Sequence, residues 1–226
     1  FIVAKDLVLS NPIETKDAAS KLPVNAQITP DANWGSRKNI DALVIVRRTG
    51  DLTVVGTGKV VSDNKNVYAA VKMTQKDESE AADAAPAKLT VDGNVTLEGY
   101  YYGIVGNGNR HNTEITVNGG TVKGYAENDN AGIYHPQNGT LTINGGTIEG
   151  AVGVYVKSGN VVTSITGGTI KGVGIKKDYV TTGDGLVAAG DAIAFDNCDY
   201  PGGAPNADIK GGTFTSTNAS AVASYA

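Results

Sequence analysis

Three aspartates, Asp191, Asp196 and Asp199, stand within nine residues of each other in the stretch DAIAFDNCDYPGG. Carboxylates at that density are raw material for a calcium site, which takes about six to eight oxygen ligands, or for half of a glycosidase acid pair. No arginine accompanies them and the lysines are distant in sequence, so a lyase's proton acceptor is not at hand. Turn carboxylates also accept hydrogen bonds from backbone amides, and that is the expected role of all three. They are therefore weak calcium candidates, and no metal or cofactor is expected. His111 in NRHNTE and His135 in IYHPQN read as exposed loop histidines, with a shared metal or acid–base role as the alternative. Cys198 is the only cysteine, so neither an intrachain disulfide nor a thiolate cluster can form. With no histidine near it in sequence, it reads as a small buried thiol rather than a nucleophile. GNGN at 106–109 is a turn, because no helix follows to bind a phosphate.

The aromatic residues are more informative. There are ten tyrosines against three phenylalanines and one tryptophan. If Ile133 and Val154 point inward along strands, Tyr134 and Tyr155 point outward at equivalent places, with Val105 in the same file. Outward rings stack on each other and on sugars. Tyr100, Tyr101 and Tyr102, in EGYYYG, add a second exposed group, so these five tyrosines are the candidate contacts for a glycan, a receptor protein or another subunit. A net charge of -4, with 19 scattered basic residues, excludes the footprint of a nucleic-acid binder. No apolar run approaches the length of a membrane span.

What would position these residues is a repeat. LTINGGTIEG (141–150) has near-copies in ITVNGGTVKG (115–124), TSITGGTIKG (163–172) and, more loosely, ADIKGGTFTS (207–216). Their first glycines are separated by 26, 22 and 44 residues, the last being twice 22. A period in this range signals a solenoid. Within each phrase apolar and polar residues alternate, the mark of a strand. The pattern breaks at Gly119-Gly120, Gly145-Gly146, Gly167-Gly168 and Gly211-Gly212, where paired glycines supply a sharp corner. A third short strand precedes each phrase, at 103–105, 132–134, 153–155 and 192–194. Three strands per turn of about 22 residues predict an all-β parallel β-helix. Ile115, Val117, Leu141, Ile143, Ile165 and Ile209 are its expected interior ladders. A leucine-rich repeat needs a helical limb and a leucine lattice, and neither is present.

NGGT followed by a β-branched residue, with GIY or GVY between copies, resembles the pectate-lyase-like right-handed parallel β-helix superfold. More narrowly, it resembles the Gly/Thr-rich β-solenoid repeats of bacterial surface proteins and of phage fibres and tailspikes. The resemblance covers 42–226, with 1–41 as an N-terminal cap or degenerate first coils. Residues 72–88 are expected to be a loop insertion, and 176–191 either an irregular coil or an excursion. The chain is expected to be part of a longer protein, because SAVASYA offers no cap for an open sheet edge. The resemblance implies a non-catalytic structural and adhesive module, extracellular, on a bacterial cell surface or a virion. Its alternatives are a carbohydrate-active enzyme and a homo-oligomeric assembly subunit, trimeric in a phage fibre. NTD, DD and GHG, the strings of the polygalacturonase-like branch, do not occur.

Overall fold

The computed structural model describes residues 2–15, 19–31, 34, 42–73, 85–106, 112–125, 130–157, 160–180, 185–186, 188–198 and 203–225. These contain 23 strands and no α-helix. The strands form three wholly parallel sheets, of seven, eight and eight strands. The chain visits them in rotation. Gly139–Ile143 lies in sheet one, Thr147–Gly150 in sheet two and Val152–Val156 in sheet three, before Val161–Ile165 returns to sheet one. Leu141 pairs with Thr163, 22 residues later. The architecture is a right-handed parallel β-helix, and eight strands at about 4.8 Å spacing make a rod of about 35 Å.

Stacking in register turns the alternating pattern into ladders. One interior file of sheet one runs Leu22, Val54, Val91, Val117, Ile143, Ile165, Ile209. Sheet two contributes Ile28, Val60, Leu97, Val122, Ile148 and Ile170 to the same core. Ile209 departs from expectation. It is 39% exposed, because its strand is the outermost of sheet one and no further described coil covers it. Strands Leu7–Leu9, Ile13–Thr15, Ala19–Val24 and Gln27–Pro30 join the three sheets, so these strands belong to coils of the same solenoid.

The paired glycines stack at the corner between sheets one and two, and the second member of each pair has a backbone requirement that the first lacks. The second sits in the left-handed region, with φ of 75° at Gly120, 81° at Gly146 and 88° at Gly168. Both are held close to the coil below: a Cβ on Gly145 would lie 2.5 Å from the carbonyl oxygen of Asn118, and one on Gly146 2.8 Å from that of Gly119.

Both irregular segments differ from their sequence outlines. Lys72 and Met73 end the strand Ala69–Met73, and Ala87 and Lys88 begin Ala87–Val91, so the 72–88 insertion is strand at both ends. Residues 74–84 lie outside the described residues. Among the described residues, the 44-residue spacing holds no extra coil. One enlarged coil leaves sheet two at Gly172, makes an excursion, and enters sheet three at Ile193.

Candidate functional site

Register places Val105, Tyr134 and Tyr155 in one file on the outer side of sheet three, as expected. Their exposure is not as expected. Tyr134 is 7% exposed and Tyr155 fully buried. The excursion is the cause: Leu186, Ala188 and Ala189 pack with both tyrosines in a second apolar cluster outside the solenoid core. Sheet three is consequently buried on both faces along 131–135, 152–156 and 193–196, whereas sheets one and two alternate buried with partly exposed positions. The signal for this cover was GLVAAGD, a small apolar run inside an apparently polar insertion.

Beneath that cover lies a polar network that includes a residue missed in sequence, Lys157. Both it and Asp196 are fully buried. Lys157 Nζ is 3.6 Å from Asp196 Oδ2 and donates to the Gly185 carbonyl at 3.0 Å. Tyr155 donates its hydroxyl to Asp196 Oδ2 at 3.0 Å, and Tyr179 donates to Oδ1 at 2.8 Å. Tyr179 stacks on Tyr225, with ring centroids 4.7 Å apart, and Tyr225 donates to Asp191 Oδ2 at 2.6 Å. The other Asp191 oxygen accepts from the Ser220 amide. Burial and the Asp191 carboxylate raise the Tyr225 hydroxyl well above the ordinary phenol range. Asp191 and Asp196 thus face hydroxyl, amide and ammonium donors, and the turn role expected for them becomes a buried structural one. Asp199 lies outside the described residues. Among the described residues, no group of three His, Cys, Asp or Glu side chains could hold a metal ion. Cys198 is buried, with its Sγ 3.6 Å from the Lys157 carbonyl oxygen.

His135 is a correction. Expected in an exposed loop, it ends the strand Ala131–His135 and is fully buried, because the alternation that turns Tyr134 outward turns His135 inward. Its Nε2 lies 3.2 Å from Thr113 Oγ1, which also accepts from Gln137 Nε2. His135 Nδ1 and Gln137 Oε1 have no hydrogen-bond partner. Burial pushes the imidazole down to about 4, and nearby carbonyls of His135, Gln137 and Thr140 offset only part of that effect. His111 lies outside the described residues.

Tyr100, Tyr101 and Tyr102 are half-buried and belong to a larger group at the corner between sheets two and three. Tyr100 meets Tyr101 edge-on at 4.7 Å and tilts against Tyr125 at 6.5 Å. Tyr68, from the coil below, meets Tyr101 at 6.3 Å and Tyr102 at 6.1 Å. Tyr102 stacks on Tyr134 at 5.4 Å and so joins this corner to the covered file. Burial, with Tyr102 beside it, pushes the Tyr68 hydroxyl up to about 12. Tyr125, at 57% exposure, is the most open ring of the group.

Comparison with protein-family models, with curated proteins and with solved structures found no match. Among the described residues, no helix is long and apolar enough to cross a membrane.

Proposed function

We propose that this chain is a non-catalytic β-solenoid module of a bacterial surface or virion protein, acting as a rigid spacer that presents a contact surface outside the cell. The observation that carries the reading is the continuity of its three parallel sheets. Every coil is hydrogen-bonded to its neighbours through 7 or 8 strands per sheet, around a single run of aliphatic ladders. Such a rod transmits load and holds surface residues at fixed spacing. Two further features support the non-catalytic side. The oxygens of Asp191 and Asp196 are engaged by tyrosines and an amide beneath the excursion. Outer charges on sheet two neutralise one another along the file Lys123, Glu149, Lys171. The Gly/Thr-rich phrases support the surface-protein assignment by their resemblance to such repeats.

The test has three parts. The purified chain, incubated with acidic and neutral polysaccharides, is expected to release no reducing ends while binding to intact cells or extracted cell-surface glycans. Antibodies to the chain are expected to label the full-length product on unpermeabilised cells or on purified virions. Polysaccharide cleavage, or a product accessible only after lysis, overturns the reading. A trimer by light scattering would assign the chain to a fibre.

A further inference from the structure

We propose that the tyrosine corner formed by Tyr68, Tyr100, Tyr101 and Tyr125 is a binding site for a neutral polysaccharide lying along the axis of the rod. The proposal rests on the contact-module reading and names its ligand and its surface. These four rings come from three consecutive coils at the same corner. Tyr68 precedes Ala69–Met73, Tyr100 and Tyr101 link Thr96–Gly99 to Tyr102–Val105, and Tyr125 follows Thr121–Gly124. Coils repeat at about 4.8 Å, close to the length of one pyranose unit, so successive sugars meet successive coils.

The chemistry of the patch selects a sugar. The hydroxyls of these four tyrosines make no hydrogen bond to described residues, and their rings pack on one another, with Tyr68 also packed against the second apolar cluster. Tyr125, the most open, offers an apolar face for the C–H side of a pyranose, and the half-buried rings of Tyr68, Tyr100 and Tyr101 continue the aromatic surface beside it. The rings are held before any ligand arrives. Tyr101 N donates to the Tyr68 carbonyl at 2.7 Å and Tyr125 N to the Gly99 carbonyl at 2.9 Å, while edge-on contacts orient the rings of Tyr68, Tyr100 and Tyr101. Little side-chain freedom is then lost on binding. Charge argues against an acidic polymer. The adjacent outer file of sheet two, Glu98, Lys123, Glu149, Lys171, alternates in sign and offers no basic strip.

Affinity electrophoresis through gels containing hydroxyethyl cellulose, galactomannan or polygalacturonate tests this. The chain is expected to be retarded by at least one of the neutral polymers and not by polygalacturonate. Tyr125→Ala and the double variant Tyr100→Ala/Tyr125→Ala are expected to weaken that retardation, the double variant by about tenfold or more in apparent dissociation constant. Tyr125→Phe, which keeps the ring, is expected to retain most of it. Tyr125 is the most exposed ring of the four, so its single variant is expected to melt within a few degrees of the parent and guards against misfolding. Retardation by no neutral polymer overturns the ligand class. Equal retardation of parent and variants overturns the site while leaving the contact module standing, as does a dimer in light scattering that Tyr125→Ala disperses. Loss of binding to cells and glycan extracts by the parent chain overturns the module reading itself.

Discussion

Lys157 Nζ stands 3.6 Å from Asp196 Oδ2 with both side chains completely buried, although 39 residues separate them in the chain. They meet because Val156 pairs with Phe195, which places the next residues of two adjacent coils side by side. A buried ion pair of this kind adds little net stability, since desolvation offsets its attraction, yet losing one partner strands a charge.

Asp196→Ala is therefore expected to destabilise the chain by about 3 kcal/mol or more, while Lys157→Met combined with Asp196→Leu is expected to cost less, because it strands no charge although it takes an acceptor from the Tyr155 and Tyr179 hydroxyls. Urea unfolding of the two variants checks this. A double variant as damaged as the single one would show that the pair contributes through its attraction. Tyr155→Phe removes one hydrogen bond to the carboxylate and is expected to cost about 1 to 3 kcal/mol.

The glycine pairs give a prediction about order rather than size. At Gly146, with φ of 81°, Asn is expected to be tolerated better than Ala, because asparagine visits the left-handed region more readily. At Gly145 that advantage is absent, and any Cβ meets the Asn118 carbonyl oxygen. There Asn is expected to be no better than Ala. Melting temperatures of the four single variants decide it, and the same order at both positions would refute the division of roles.

Acid is expected to weaken the fold through His135. Its ordinary value is 6.5 and burial lowers it to about 4 in the folded chain, so below 6.5 the unfolded chain binds a proton that the folded one refuses. The contribution is fully present above pH 6.5, falls as the pH drops from there toward 4, and is level below that. Its size is roughly 3 kcal/mol. Urea midpoints of the parent and His135→Gln between pH 7 and 4 measure it. A parent curve parallel to that of the variant would rule the histidine out.

Thr163 interrupts an interior file that otherwise reads Leu52, Leu89, Ile115, Leu141, and its buried hydroxyl has no partner. Thr163→Val is expected to stabilise the protein by about 1 kcal/mol, since it removes an unsatisfied polar group at nearly constant shape. A lowered denaturation midpoint would mean that the hydroxyl is satisfied in solution.

Alternation and glycine pairs are local signals, and they determined the solenoid. A strand's inward residues are decided by neighbours two positions away, and the corner at Gly145-Gly146 is dictated by backbone geometry that few other residues adopt. For the same reason the file Val105, Tyr134, Tyr155 was legible in the amino-acid pattern alone. His135 was legible in principle too, since it continues the alternation by one residue, but its loop-like surroundings in IYHPQN masked that. What only the tertiary structure decided is which outer faces meet water. The cover over Tyr134 comes from Gly185 and its neighbours, 51 residues away, and no periodic pattern encodes where an excursion folds back. The pairing of Lys157 with Asp196 was hidden likewise, because the excursion stretches one coil beyond the period that would have aligned them. Burial is a sum over distant parts of the chain, whereas the direction a side chain takes from its strand is a property of the strand alone.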